Sequence, residues 1–145
     1  MFRHILIPTD GSPLSAIATR KSIELASALG ARVTALHVSL PFHVLSLHTE
    51  ILEDTREQYE HDSEVSARRF LDDAGKVAIE SSVSFETVRT VSDQPFQSII
   101  DVARERGCDL IAMASHGRRG LPGLLIGSET QKVLTHTTIP VMVWR

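Results

Sequence analysis

Five short apolar runs separated by helix-length connections set the strongest constraint on this chain. They read RHILIP (3–8), RVTALHV (32–38), VSFETVRT (83–90), LIAMA (110–114) and PVMVW (140–144). Each has the length of a strand: RHILIP is rich in β-branched residues, VSFETVRT alternates like a strand with one solvated face, and LIAMA is apolar throughout. The segments between them carry helical periodicity. The resulting order is β-α-β-α-β-α-β-α-β. Strands joined by helical crossovers run parallel, and a parallel sheet is covered on both faces by helices. The expected class is α/β, a three-layer α/β/α sandwich. Ligands of such sheets sit outside the carboxyl ends of the strands, where the strand order reverses. The loops after Pro8, Val38 and Ala114 are therefore the places where a site is expected.

Local signals mark where the helices begin and end. Ser12-Pro13 reads as an N-cap followed by proline at the first helical position, and Gly30 as the C-terminal glycine of the same helix. Pro41 to Thr49 reads as a loop. Leu52, Thr55, Tyr59, Ser66, Phe70 and Val77 mark the buried stripe of a long amphipathic helix with an acidic outer face. Phe96, Ile99, Ile100 and Ala103 mark a short helix that ends before Gly107. Ser128, with Gln131 three residues on, predicts a capping box at the start of the last helix.

Composition narrows the function classes. The 145 residues are 42% hydrophobic and 23% charged, an ordinary globular balance that predicts one domain spanning 1–145. The lone cysteine, Cys108, rules out an intramolecular disulfide and a CxxC zinc site; its position at a strand entrance, opposite the ligand loops, suggests a structural role. A net charge of −3 offers no field for a polyanion, so nucleic acid is not the expected partner. No apolar run is long enough for a signal-peptide core or a bilayer span, which predicts a cytoplasmic protein without membrane contact. The charge is uneven: residues 50–80 hold ten acidic and four basic side chains, whereas 114–145 hold one acidic and four basic. The first imbalance fits a solvated helix face. The second coincides with a glycine-rich stretch.

That stretch, Ala114-Ser-His-Gly-Arg-Arg-Gly-Leu-Pro-Gly-Leu-Leu-Ile-Gly-Ser128, contains four glycines and two arginines ahead of a helix. Glycines before a helix N-terminus let backbone N–H groups approach an anion, and the helix dipole favours negative charge there. Arg118 and Arg119 add forked donors suited to phosphate oxygens. The plainer alternative is a surface loop whose glycines serve turns. The segment is neither a Walker loop nor a dinucleotide fingerprint, and there is no GxSxG elbow. Ser115 and His116 are adjacent on an extended strand end, so their side chains are expected to point apart rather than form a dyad. His43 and His48, near Glu50 and Glu53, match no metal-binding spacing and read as surface histidines; no metal site is expected. His37, inside a strand, reads as packed or hydrogen-bonded.

The whole chain resembles the universal stress proteins, from ILIPTDGS through LHV to the closing PVMVW. Nucleotide-binding members carry Gly-x2-Gly-x9-Gly-Ser/Thr after the fourth strand, and here the register is Ala114-x2-Gly117-x9-Gly127-Ser128. The spacing is intact and alanine replaces the first glycine. If that position needs a positive φ, the methyl costs about 1 kcal/mol or more. The resemblance implies a five-stranded parallel sheet of order 3-2-1-4-5, like that of the adenine nucleotide alpha-hydrolases. It implies ATP or AMP as ligand, with Mg2+ as a possible companion. Pro8, Thr9 and Asp10 would line the adenine and ribose, Val38 the adenine edge, and Met113 and Ala114 the ribose floor. Gly117, Gly127, Ser128, Glu129 and Thr130 would form the phosphate-binding turn, with His116, Arg118 and Arg119 inside the same loop.

The functional expectation is a stress-response protein that binds an adenine nucleotide as a regulatory ligand. A slow ATPase and a dimeric interaction module without nucleotide are the alternatives. The loops offer no evident base near a γ-phosphate and no paired carboxylates for two metals, so at most weak hydrolysis is expected. The order 3-2-1-4-5 puts Pro140 to Trp144 at a sheet edge. That apolar edge predicts a homodimer through the last strand.

Overall fold

Strand and helix alternate along the chain as its periodicity predicts. The structure, a computed structural model, describes residues 1–42, 53–117 and 125–145. The strands are β1 (His4–Pro8), β2 (Arg32–Ser39), β3 (Phe85–Val91), β4 (Leu110–Ala114) and β5 (Val141–Trp144). The helices are α1 (Pro13–Leu29), α2 (Glu53–Glu80), α3 (Pro95–Glu105) and α4 (Ser128–His136). All strand pairs are parallel, in the order β3-β2-β1-β4-β5 that the resemblance implied.

Successive residues of the central strands feed opposite faces. Ile5, Ile7, Val33, Leu110 and Ala112 pack with Ile23 and Ala26 of α1 and Ala78 of α2. Leu6, Leu36, Ile111 and Met113 pack on the other face with Ile99, Val102 and Ala103 of α3 and Val133 of α4. Two apolar layers around one sheet hold the strand ends in fixed relation, which is what a site built on loops requires.

α1 begins as its sequence predicts: Ser12 is extended, its Oγ accepts from Ser15 N at 3.2 Å, and Pro13 follows. Three helices end alike. Gly30 and Gly107 take φ of 66°, and Ser82 takes φ of 54°; the next residue's N–H returns to a carbonyl five residues back, at Ala26, Ala103 and Ala78. This Schellman closure explains why β3 starts at Phe85 rather than at Val83: Val83 N is already bonded to Ala78 O, at 2.9 Å. The buried stripe of α2 is also displaced from the expected one. Thr55 is exposed and Tyr59, Phe70 and Val77 lie at the margin, whereas Ala67, Leu71, Ala74 and Ala78 are buried. Alanines allow the helix to lie close to Ala35 of β2, with which Leu71 and Ala74 form a small apolar cluster.

Candidate functional site

Neighbouring ladders end at different heights. β1 stays paired with β2 to Pro8–Leu36, and Thr9 N continues to Leu36 O at 2.8 Å. β4 stays paired with β5 to Ala114–Trp144, and Ser115 N continues to Trp144 O at 2.8 Å. Between β1 and β4 the register covers only Ile5–Leu110 and Leu6–Ile111. A crevice therefore opens between the carboxyl ends of β1 and β4, where the strand order reverses.

The β1 wall of this crevice is the turn 9–12, and three elements lock it. Asp10 Oδ1 accepts from Ser12 N at 2.9 Å, and Asp10 N donates to Ser15 Oγ at 3.2 Å. Thr9 is buried; its Oγ1 accepts from Ser15 Oγ at 3.0 Å, and its carbonyl accepts from His37 Nδ1 at 2.8 Å. A carbonyl only accepts, so His37 carries its proton on Nδ1. The His37 ring tilts against Phe70 of α2 at 5.4 Å. Gly11 takes φ of 75°, and a Cβ there would enter the Phe70 ring. Sequence reasoning identified Asp10 but not Ser15 or Phe70 as its support. The signal for Ser15 was a hydroxyl one helical turn past an N-cap.

On the β4 wall, Met113 and Ala114 are buried, and Pro8 and Val38 are partly exposed nearby in the sheet, at the ends of β1 and β2. Ala114 has ordinary strand geometry: among the described residues, Ser82 is the non-glycine with a positive φ. The methyl at the departing motif position is unstrained. Ala114 O accepts from Thr130 Oγ1 at 3.0 Å, and Ser115 O accepts from Gly127 N at 2.6 Å. These two bonds draw the start of α4 back onto the end of β4.

Close approach, not a left-handed backbone, explains the two described loop glycines. A Cβ on Gly127 would lie 3.0 Å from His116 Cβ and 3.1 Å from His116 Cα. A Cβ on Gly117 would collide with the Asp10 carboxylate. Asp10, His116, Gly117 and Gly127 are thus brought together at the crevice. Arg118 and Arg119, with Gly120 and Gly123, lie outside the described residues, as do His43, His48 and Glu50.

Two expectations are corrected. The Ser128 capping box does not form: Gly127 is the N-cap, Ser128 is already helical, and Gln131 Nε2 turns to Ile126 O at 3.3 Å. With Gly127 O accepting from Gln131 N at 3.0 Å, the first helical bond begins one residue earlier than a Ser128 cap requires. Nor do Ser115 and His116 point apart. The strand ends at Ala114, the backbone bends at Ser115, and Ser115 Oγ lies 3.1 Å from His116 Nδ1. Ser115 is 2% exposed, so its hydroxyl serves as a bonding partner for the ring and not as an open nucleophile.

Glu129 is half-buried, and its carboxylate turns to α3, where Oε2 accepts from Phe96 N at 2.9 Å. Ser128 is exposed at the helix start. Among the described residues no three His, Cys, Asp or Glu side chains are placed to hold a metal ion. A separate cavity of 450 Å³ lies between Leu40, Tyr59, Arg89 and Val91, and none of the site residues lines it.

The amino ends of the strands hold a polar chain instead. His4 Nε2 meets Thr34 Oγ1 at 2.7 Å, Thr34 Oγ1 donates to Glu86 at 2.8 Å, and Arg106 pairs with Glu86 at 2.9 Å. Burial holds the His4 ring below its ordinary pKa. Burial also pushes the Cys108 thiol up to about 11, which keeps it protonated and unreactive.

The universal stress protein family model matches residues 1–145. Universal stress protein YxiE of Bacillus subtilis is 30% identical over 149 residues, covering 100% of both chains. The solved structure of universal stress protein UspA from Lactobacillus plantarum has a TM-score of 0.85 at 25% identity, covering 99% of this chain and 98% of that one. A universal stress protein from Archaeoglobus fulgidus, solved in complex with dAMP, shares the fold at a TM-score of 0.69 and 18% identity, covering 100% and 98% of the two chains. Among the described residues no helix is long and apolar enough to cross a membrane.

Proposed function

The chain belongs to the universal stress protein family, and we propose that it binds an adenine nucleotide, AMP or ATP, in the β1–β4 crevice as a regulatory ligand. The observation that carries this reading is the meeting of Asp10 with Gly117 and of Gly127 with His116, in front of the α4 N-terminus. Each glycine sits where a side chain would fill the approach to the backbone, and the N–H groups of Ser128, Glu129 and Thr130 are among those a helix start leaves without partners of its own.

In this reading Val38 meets the adenine edge, Pro8, Thr9 and Asp10 line the adenine and ribose, and Met113 and Ala114 lie beneath the ribose. The phosphates meet Gly117, the Gly127–Thr130 turn, His116, Arg118 and Arg119. Mg2+ would accompany ATP through the phosphate oxygens. The A. fulgidus relative's dAMP supports an adenine nucleotide as the ligand class. The reading includes a cytoplasmic location and a homodimer through β5.

Binding without rapid turnover is the expected chemistry, because the loop sequences offer no evident base near a γ-phosphate and no paired carboxylates for two metals. Mass spectrometry of small molecules released from the purified protein tests the ligand class, with AMP or ATP expected. Incubation with ATP and magnesium tests turnover, expected below roughly 1 s⁻¹, against a typical enzyme rate of about 10 s⁻¹. Faster turnover that survives rigorous purification would make the protein an ATPase instead.

A further inference from the structure

The first turn of α3 has no cap of its own. Gln94, its N-cap residue, makes no side-chain capping bond, and no acidic residue lies in that turn. The N–H of Phe96 is instead taken by Glu129 Oε2 at 2.9 Å, from a residue 33 positions later. The other carboxylate oxygen accepts from Lys132 Nζ at 3.1 Å. Lys132 stands 5.5 Å over the Phe96 ring, and His136 tilts against that ring at 5.2 Å. One carboxylate thus joins the starting turns of two helices on the same face of the sheet.

Glu129 is also the second residue of α4, the helix whose N-terminus carries the proposed phosphate contacts. A carboxylate free at that place would compete with an incoming phosphate for the same N–H groups. Here it is drawn sideways to α3 and its charge is matched by Lys132. Gly127 N on Ser115 O, at 2.6 Å, and Thr130 Oγ1 on Ala114 O, at 3.0 Å, fix the same turn to β4. Glu129 supplies a third attachment of that turn, by a hydrogen bond to the first turn of α3.

We propose that Glu129 is a positioning residue for phosphate: by anchoring on Phe96 N–H it orients the α4 N-terminus and keeps its own charge out of the anion's path. This role rests on the nucleotide reading given above. It applies to the phosphate end of the ligand, so it separates nucleotides from adenosine.

Calorimetry of the full chain with adenosine, AMP and ATP tests it, using three variants checked for native far-UV spectra. Glu129→Gln retains an oxygen for Phe96 N–H, and its AMP affinity is expected to stay within about threefold. Glu129→Ala loses the anchor; Glu129→Asp keeps the charge but is one methylene too short to reach. Both are expected to weaken AMP and ATP by about tenfold while adenosine changes by less than about twofold. Should the alanine variant fail to fold, the aspartate variant carries the test alone. AMP binding unmoved in the aspartate variant, or adenosine weakened as much as AMP, overturns the role while leaving the nucleotide reading intact. Absence of binding by the unmodified chain to all three ligands overturns both.

Discussion

Gly117 and Asp10 meet across the β1–β4 crevice: a Cβ on Gly117 would collide with Oδ2 of Asp10. The two residues come from loops more than a hundred positions apart in sequence. The missing side chain at Gly117 leaves the room that the carboxylate occupies. Asp10 cannot simply swing aside, because Oδ1 holds Ser12 N at 2.9 Å and its own N–H holds Ser15 Oγ at 3.2 Å. Gly117→Ala is therefore expected to displace the carboxylate and cost about tenfold in AMP affinity, with the fold retained. Calorimetry and a thermal melt of the variant check both halves.

Ala114 is buried in β4, with ordinary strand geometry. Ala114→Gly, which restores the family's motif residue, relieves no strain. It is expected to destabilise the chain by about 0.5–1 kcal/mol through the greater freedom of glycine in the unfolded state. Nucleotide affinity should change by less than about twofold. Urea unfolding and titration of the same sample measure the two effects separately.

Acid should weaken the fold in two stages, both at the amino ends of the strands. Burial holds the folded His4 ring below 6.5. As pH falls through 6.5 the unfolded chain takes up a proton that the folded chain refuses, so stability declines until the folded pKa is reached. For Asp109 burial pushes the carboxyl up, but the N–H groups of His4, Arg3 and Asp109 itself outweigh that and hold it below 3.8. Its contribution is complete above 3.8 and is lost as pH falls through the folded value. Unfolding curves from pH 7.5 to 3 measure this dependence. His4→Gln should flatten the part just below 6.5, and Asp109→Asn the acidic part.

The open edge of β5 has a defined pattern. Pro140 O and Trp144 O accept from β4, so the alternate residues Val141 and Val143 direct their backbone groups away from it. Val141 also packs into the α3–α4 side of the core, and the Trp144 indole donates to Ser22 of α1 at 2.8 Å. Val143→Pro therefore removes an outward N–H without touching the β4 ladder. If the chain pairs through this edge, sedimentation at tens of micromolar should give a dimer for the unmodified chain and a monomer for the variant. A monomeric unmodified chain would rule out the pairing.

The layers and the strand order were legible because they depend on apolar periodicity and on the resemblance, both spread along the whole chain. Asp10, Gly117 and Gly127 were legible as motif positions. The reason for each glycine was not, since Gly127 is small to admit His116 and Gly117 to admit Asp10, contacts between distant or turned-back segments. The Ser128 box failed for a related cause. Ser-x-x-Gln favours a cap locally, but Gly127 is held against the end of β4 by its N–H on Ser115 O, and its own carbonyl accepts the first helical bond from Gln131 N, one residue earlier. Glu129 reads as part of the phosphate turn in sequence, whereas its carboxylate serves a helix 33 residues away. Local rules see neighbours in sequence; these outcomes were decided by tertiary partners.

Calorimetric titration of the unmodified protein with AMP and with ATP, each to millimolar concentration, tests the central claim most directly. A saturable heat with at least one of them, accompanied by a rise in melting temperature at the same ligand concentration, is the expected result. No heat and no thermal shift with either nucleotide would contradict the account and leave the crevice as scaffold.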